Sequence, residues 1–131
     1  MIPDRIIEQG TLRTDGARAA VEVRIPWYRA LPGSCIAGAA LRIDGVAAPA
    51  ESLRWRMNDR EFTFAELVDT LDEWWFPADS AVLSGEIAVG DAEDHEVEVD
   101  IQLYIPYIII SDSEVLRIEE HDRKTMKAVA A

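Results

Sequence analysis

Hydrophobic and polar positions alternate with a period of two over much of the chain, which is typical of β-strands with one buried and one solvated face. The longest such stretch places five aliphatic residues on one side: Val97, Val99, Ile101, Leu103 and Ile105. Shorter stretches with the same alternation surround Val21, Leu41 and Trp55. The pattern predicts several short strands and one longer strand.

Two pairs of turn-forming residues interrupt these stretches, Asp44-Gly45 and Asn58-Asp59. These residue types tolerate the positive φ angles that two-residue hairpin turns require. Short strands joined in this way, without amphipathic helices between them, favour an antiparallel β-sandwich or barrel-like domain over a sheet of βαβ units. The predicted fold is therefore mostly β.

One short α-helix is predicted over Phe64–Glu73. Thr63 and Glu66 have the spacing of a capping box, in which each side chain accepts a hydrogen bond from the other residue's free backbone N–H. Apolar residues recur at helical spacing from Leu67, and Pro77 prevents any continuation.

The chain has 131 residues and a single cysteine, Cys35, which we interpret as a small core residue. Residues 1–118 are expected to form a single β-sandwich-like domain that ends in a short strand over 115–118. Residues 119–131 lose the apolar periodicity and are predicted to be a C-terminal tail that is flexible when unbound. No apolar run is long enough to cross a membrane and residues 1–10 lack a signal-peptide pattern, so we expect a cytoplasmic protein.

The charge is strongly negative and unevenly distributed. The formal net charge is −12, and residues 61–116 hold fifteen acids without a Lys or Arg. Binding to nucleic acid requires clustered basic residues, so nucleic acid is a poor candidate partner. The acidic stretch is either a solvated face or a surface that steers the chain toward a basic partner.

No residue pattern marks this chain as an enzyme by itself. His95 and His121 do not have the spacing of metal ligands, and no nucleophile elbow, phosphate-binding loop or dinucleotide fingerprint is present. Asp69, Asp72 and Glu73 allow a pair of catalytic carboxylates, although such coincidences are expected among 25 acids. We therefore predict no catalytic residue and no metal ligand in this chain.

The chain carries more aromatic side chains than its strands need for a core. Trp55 lies within a predicted strand and is expected to be buried. The other candidates are residue types that dominate the centres of protein interfaces, and they are expected to face a partner or the substrate: Trp27, Tyr28, Arg29, Trp74, Trp75 and Tyr107. With the apolar run 105–110 they would form one contiguous surface. For the tryptophans and Tyr28, packing in the core stays an equal alternative.

Five sequence blocks together resemble a known family. They are WYRALPGSCI at 27–36, the IDGV hairpin at 43–46, NDREFT at 58–63, DEWWF at 72–76 and YIPYI at 104–108. In this combination the chain resembles the β subunit family of C-glycoside deglycosidases, which are small bacterial proteins. The resemblance covers about residues 1–118.

This resemblance implies an accessory subunit. Its partner would be a larger α subunit with a sugar-isomerase-like (β/α)₈ barrel, which would hold a divalent metal, manganese or magnesium, and the main catalytic base. The substrate would be a 3-oxo C-glucoside of a flavonoid or anthraquinone, whose C–C bond is broken by elimination. The isolated chain would be inactive and would bind no metal.

Two other functions stay open from the sequence. The same aromatic residues would serve a stand-alone β-sandwich carbohydrate-binding module by stacking on sugar rings. An independent small lyase would act on a 3-oxo C-glucoside without a second protein. Activity of each subunit alone and of the mixture distinguishes the three possibilities.

Overall fold

The computed structural model describes residues 6–130. The sequence-based expectations for residues 1–5 and 131 lie outside this range. Short 3₁₀ turns occur at Gly33–Cys35 and Ala50–Ser52. The strands and the helix are β1 Arg13–Thr14, β2 Arg18–Val23, β3 Leu31–Pro32, β4 Ile36–Ile43, β5 Val46–Ala47, β6 Arg54–Met57, β7 Arg60–Phe62, α1 Phe64–Leu67, β8 Trp74–Trp75, β9 Ala81–Glu86, β10 His95–Ser111, β11 Glu114–Met126 and β12 Val129–Ala130.

The strands form two main sheets and one small one. The first main sheet has the order β12-β1-β2-β9-β6-β7, and the second has the order β11-β10-β4-β5. Strands β3 and β8 pair as a separate two-stranded sheet. Strand β12 runs parallel to β1, and the other pairs are antiparallel. The prediction of a mostly β, sandwich-like domain with one short helix is confirmed.

One hydrophobic core joins the inward faces of both main sheets. The first sheet contributes Val21, Trp55 and Leu83, and the second contributes Leu41 and Val99, all of them buried. These residues come from the alternating stretches of the sequence, because every second side chain of a strand points to the same face. The expected burial of Trp55 is confirmed.

Both predicted hairpin turns are present. Asp44 and Gly45 have φ angles of 53° and 82° and join β4 to β5. Asn58 and Asp59 have φ angles of 54° and 64° and join β6 to β7. Both turns therefore have positive φ at their two central residues, as expected for tight hairpins with this chemistry.

The helix begins where the sequence predicts but is shorter. The Thr63 side chain accepts from the backbone N–H of Glu66, and the Glu66 carboxylate accepts from the backbone N–H of Thr63, so the capping box is formed. The predicted end at Glu73 is wrong, since α1 ends at Leu67. The Thr70 hydroxyl donates to the Glu66 carbonyl, and the Thr70 carbonyl accepts from the backbone N–H of Ser34. These bonds direct the chain into a loop.

The C-terminal region differs most from the sequence-based expectation. The predicted strand end at Ile118 is wrong, because β11 continues to Met126 beside β10. The continuation carries Glu120, Asp122 and Lys124 opposite buried positions of β10, so the apolar alternation is missing there. Asp122 is buried and accepts from the backbone N–H of Ile7 at 2.8 Å. Flexibility of residues 119–131 before partner binding stays a prediction.

Candidate partner-binding surface

A tight cluster of side chains forms around the loop that follows β2. Trp27 and Tyr28 lie side by side on this loop, with ring centroids 4.9 Å apart and planes tilted by 38°. Tyr28 is 68% exposed, whereas Trp27 is half-buried and packs against the core. Pro26 at the start of the loop and Pro32 at its end cannot donate to a sheet, which keeps this segment out of the main sheets.

Tyr107 joins this cluster from a position 80 residues further along the chain. The Trp27 indole N–H donates to the Tyr107 hydroxyl oxygen. The Arg29 guanidinium carbon lies 5.0 Å from the centroid of the Tyr107 ring, within the range of a cation–π contact. Tyr28 and Arg29 also interact with the Tyr107 hydroxyl, since both help to lower its pKa. We call these four residues, Trp27, Tyr28, Arg29 and Tyr107, the aromatic cluster.

The aromatic cluster shifts the pKa values of its two tyrosine hydroxyls in opposite directions. Loss of hydration raises the pKa of Tyr107, but the donors Trp27, Tyr28 and Arg29 and the charge of Arg29 lower it by more, so the pKa lies below its usual value. The hydrogen bond to Tyr107 is the main cause of the raised pKa of Tyr28. The two phenols therefore interact with each other and with the charge of Arg29.

Tyr107 lies on a two-stranded ribbon that extends beyond the rest of its sheet. Pairing of β10 with β4 ends at Leu103, whereas pairing of β10 with β11 continues to Ser111. We call residues 104–117 the ribbon. The register shifts between Ile105 and Ile109 and again between Ile109 and Ser111, so the pairing of the ribbon is irregular there. Ile109 and Ile110 on this ribbon are 73% and 60% exposed. Two-stranded ribbons are only marginally stable in water when nothing packs against them.

The two adjacent tryptophans of the DEWWF block have different environments. Trp75 is 1% exposed and packs edge to face on Trp55, with ring centroids 4.8 Å apart. Of the two alternatives open for Trp75, the structure therefore shows packing in the core. Trp74 is 41% exposed and pairs with Pro32 across β3 and β8. Its neighbours Leu71 and Phe76 are also exposed.

The loop that presents Trp74 is held by its acidic neighbour. Glu73 accepts from the Asn58 side chain at 2.9 Å and forms an ion pair with Arg60 at 2.9 Å. These two contacts, the Asn58 hydrogen bond first, lower the pKa of Glu73. A general acid in a glycosidase pair needs a raised pKa. The lowered pKa therefore disfavours Glu73 as the general acid of such a pair, and its contacts with Asn58 and Arg60 fix the loop.

Both histidines take part in hydrogen bonds on the second main sheet. His95 is the first residue of β10 and is 1% exposed, with Nδ1 2.7 Å from the Asp44 carboxylate. His121 lies on β11 within 2.6 Å of Asp100, which also pairs with Arg42. Over residues 6–130, no group of three or more His, Cys, Asp or Glu side chains is arranged to hold a metal ion.

Cys35 is buried, as the sequence predicts, and burial raises the pKa of its thiol. A thiol with a raised pKa is a poor nucleophile at neutral pH. In the part of the chain that the structure describes, no helix has the length and apolar content that crossing a bilayer requires.

The structure thus brings together four of the six predicted site residues. Trp74 lies on a neighbouring element, since β8 pairs with β3, and β3 begins two residues after Arg29. Ile109 and Ile110 were not among the predicted site residues. Their signal in the sequence is the loss of alternation after Ile105, where apolar side chains occupy both faces of the strand.

Comparison with known proteins gives this surface a context. The family model described as C-glycoside deglycosidase beta subunit matches residues 6–107, which includes the whole aromatic cluster. The chain belongs to this family. A C-glycoside deglycosidase beta subunit of Microbacterium trichothecenolyticum is 73% identical over 131 residues, covering 100% of both chains.

Two further relatives extend the comparison. A C-glycoside deglycosidase beta subunit of Arthrobacter globiformis is 70% identical over 128 residues, covering 97% of each chain. A 3'-dehydrocarminate deglycosidase beta subunit of a Microbacterium species is 37% identical over 126 residues, covering 96% of this chain and 95% of the relative. Membership in the beta subunit family implies a partner subunit, and an exposed aromatic cluster beside an exposed apolar ribbon fits that role.

Proposed function

We propose that this chain is the accessory subunit of a heteromeric, cytoplasmic C-glycoside deglycosidase that cleaves the C–C bond of 3-oxo C-glucosides. The aglycone would be a flavonoid or an anthraquinone, and the reaction a lyase-type elimination. The partner is an α subunit with a sugar-isomerase-like (β/α)₈ barrel. The observation that carries the proposal is the aromatic cluster beside the ribbon, in a chain of the beta subunit family.

The exposed ribbon supports docking to another protein. Ile109 and Ile110 lie in a segment that pairs only with itself over the described residues. Large exposed apolar patches rimmed by polar residues mark interaction sites. Arg, Trp and Tyr are also the residue types that contribute most at interface centres. Burial of this surface against the α subunit would therefore stabilise both the ribbon and the complex.

The chemistry of a 3-oxo sugar explains why such a cover is useful. A ketone at C3 acidifies the C–H bond at C2, so a base can remove that proton. The electron pair of the broken C2–H bond forms a double bond between C2 and C1 as the C1–aryl bond breaks. The electron pair of the C1–aryl bond stays with the aryl carbon, which receives a proton. Charge develops in this step, and exclusion of water strengthens the interactions that stabilise it.

In this proposal the main base and the divalent metal, manganese or magnesium, belong to the α subunit. The described residues of this chain do not fit a metal, because they offer no cluster of three ligands. The chain's own part is to cover the site, to brace the partner's loops with Trp74 and the aromatic cluster, and to exclude water.

The test is turnover of a 3-oxo C-glucoside by each purified subunit and by their mixture, with native mass measured in parallel. We expect turnover and a heteromer only in the mixture. Turnover by this chain alone would identify a small lyase, and glycan binding without a heteromer would identify a carbohydrate-binding module. Either result would contradict the proposal.

Two variants, one at an exposed and one at a buried tryptophan, test the docking surface in the same experiment. Trp74→Ala removes an exposed ring and is expected to weaken co-purification with the α subunit without unfolding the chain. Trp75→Ala opens a cavity in the core and is expected to lower the free energy of unfolding by about 3–5 kcal/mol. Unchanged co-purification of a folded Trp74→Ala chain would remove Trp74 from the interface.

A further inference from the structure

Strand β11 is the longest edge strand of the two main sheets over residues 6–130. The first main sheet ends in β7 and β12, which have three and two residues, and the second ends in β5, with two residues, and in β11, with thirteen. Natural proteins keep exposed edges short, because unpaired N–H and C=O groups are a template for another strand. An open edge of this length is therefore expected to be covered in the assembled protein.

Alternate residues of β11 direct their backbone groups to this edge. Glu96, which pairs with Thr125, bonds on the β4 side: its N–H donates to the Asp44 carboxylate, and its carbonyl accepts from the Asp44 N–H. In an antiparallel ladder both backbone groups of a residue point to one side, and those of the next residue point to the other. The even-numbered residues of β10 therefore bond toward β4 and the odd-numbered ones toward β11. Because odd-numbered residues of β10 pair with even-numbered residues of β11, the odd-numbered residues of β11 face outward.

The outward groups at the C-terminal end of β11 are already bonded within the chain. The backbone N–H of Arg123 donates to the Asp122 carboxylate at 2.8 Å, and the Thr125 carbonyl accepts from the Gln9 side chain at 2.8 Å. Both bonds agree with the outward direction of odd-numbered residues. They also show that this end of the edge is closed to another strand.

The open part of the edge lies between Glu114, where β11 begins, and the closed end at Asp122. Its midpoint is Ile118. Within residues 6–130, no hydrogen bond reaches the outward backbone groups of the odd-numbered residues from 117 to 121. The open part is therefore centred on one residue, as pairing with an identical strand in the opposite direction requires.

The side chains of this open part are complementary to themselves in one register. Arg117 and Glu119 carry opposite charges on the same exposed face of β11, and within residues 6–130 neither forms an ion pair. When two antiparallel copies meet at Ile118, Arg117 of each copy lies opposite Glu119 of the other. A centre at Arg117 or at Glu119 instead sets that residue opposite itself, and like charges directly opposite each other are destabilising.

We propose that two copies of this chain pair antiparallel through β11, with the two-fold axis at Ile118. The pairing joins the four-stranded sheets of the two copies into one continuous sheet and satisfies the outward backbone groups of Arg117 and Glu119. A two-fold interface requires such a self-complementary surface. The inference does not depend on the proposed function, and Ile109 and Ile110 lie on β10, the other strand of the ribbon.

The test is the native mass of the purified full chain, measured by sedimentation over a range of concentrations. Wild type is expected to dimerise. Arg117→Glu and Glu119→Arg each place like charges opposite each other twice, so each should raise the dimer Kd about tenfold or more. An equimolar mixture of these two variants again sets opposite charges against each other, so it should dimerise like wild type. Arg56→Glu, the same charge change at an exposed position of the other main sheet, is the matched control and should leave the Kd unchanged.

A cysteine at the axis tests the register. Directly opposite residues of an antiparallel pair lie within disulfide reach, so Ile118→Cys is expected to give a covalent dimer under mild oxidation. Glu120→Cys, two residues away on the same face, should not, because the two introduced thiols would lie about 13 Å apart along the strands. Thermal unfolding checks that both variants fold, and the buried Cys35 is present in both.

Three results would overturn the inference. The first is a wild-type chain that stays monomeric at the highest concentration at which it remains in solution. The second is an equal weakening of the dimer by Arg117→Glu and Arg56→Glu, which would make net charge the cause. The third is a covalent dimer that forms as fast with Glu120→Cys as with Ile118→Cys, which would exclude a centre at Ile118.

Discussion

At the scale of single residues, the least expected contact joins a hairpin turn to a buried histidine. Asp44 accepts from His95 Nδ1 at 2.7 Å and from the backbone N–H of Glu96 at 2.9 Å. The His95 contact, followed by the Glu96 N–H, lowers the pKa of Asp44. Asp44 thus has two roles. Its positive backbone φ shapes the β4–β5 turn, and its side chain anchors that turn to the start of β10.

This contact predicts a pH-dependent loss of stability in Asp44→Asn. Because the folded state lowers the pKa of Asp44, its carboxylate stabilises the fold above the unfolded pKa of about 3.9, and this contribution disappears as the pH falls through the lowered folded pKa. The Asp44 side chain is 46% exposed, so we expect a loss of only about 1 kcal/mol at pH 7. Urea unfolding between pH 7 and pH 3 measures it.

The matched control is Asp59→Asn, which changes the same residue type at positive φ in the other hairpin. Asparagine tolerates this conformation, so neither substitution strains its turn. The difference in the free energy of unfolding between wild type and Asp44→Asn should become smaller toward acid pH. A difference that stays constant with pH would show that the carboxylate charge of Asp44 is not what stabilises the turn.

At the scale of elements, the ribbon separates two roles of β10. Its first part, up to Leu103, pairs with β4 on one side and β11 on the other, and its alternate side chains fill the core. Its second part pairs with β11 alone, and both of its faces carry apolar residues. The first part stabilises the domain, and the second offers a surface to a partner.

Substitutions in the ribbon should therefore weaken assembly more than folding. Ile109→Thr combined with Ile110→Thr keeps β-branched side chains, so the strand is retained while apolar surface is removed. We expect an unchanged Tm for the isolated chain and a subunit Kd raised about tenfold or more, since 1.4 kcal/mol of lost burial changes Kd tenfold. Calorimetry and binding titration measure the two quantities.

Val46→Thr is the control for this pair of substitutions. Val46 is 57% exposed on β5, next to Ile43, which pairs with the opposite end of β10 from the ribbon. It should change neither Tm nor Kd. An equal rise in Kd for Val46→Thr and for the ribbon variant would mean that the interface is not localised to the ribbon.

At the scale of the whole molecule, the two ends of the chain hold each other. The buried Asp122 carboxylate accepts from the backbone N–H of Ile7, 115 residues away, and from Lys124 at 2.7 Å. Nearby, the Gln9 side chain donates to the Thr125 carbonyl. The C-terminal half of β11 is therefore hydrogen-bonded to the N-terminal segment at Asp122 and Thr125.

This arrangement predicts a high cost for Asp122→Ala. The substitution leaves the backbone N–H of Ile7 without its carboxylate, and an unsatisfied buried polar group costs about 1–3 kcal/mol. Chemical denaturation should show a loss of that size, and amide hydrogen exchange should show faster exchange at Ile7. Asp112→Ala, at the exposed turn between β10 and β11, is the control. Equal stability of the two variants would contradict the role of Asp122.

The sequence by itself determined the local features of this protein. Turn pairs such as Asp44-Gly45, the Thr63–Glu66 capping box and the strand alternation of β10 depend on neighbouring residues, whose conformational preferences act over a few positions. The combination of blocks such as WYRALPGSCI and DEWWF likewise indicated the family, and four of the six predicted site residues lie in one cluster.

Tertiary structure alone decided the remaining features. It placed Trp75 in the core and Trp74 at the surface, because only the packing around Trp55 distinguishes two adjacent tryptophans. It ended α1 early and extended β11, because contacts with distant segments replaced the local signals. It also brought Trp27 to Tyr107. Such contacts arise from the burial of the whole chain, and a period of two along one strand carries no information about them.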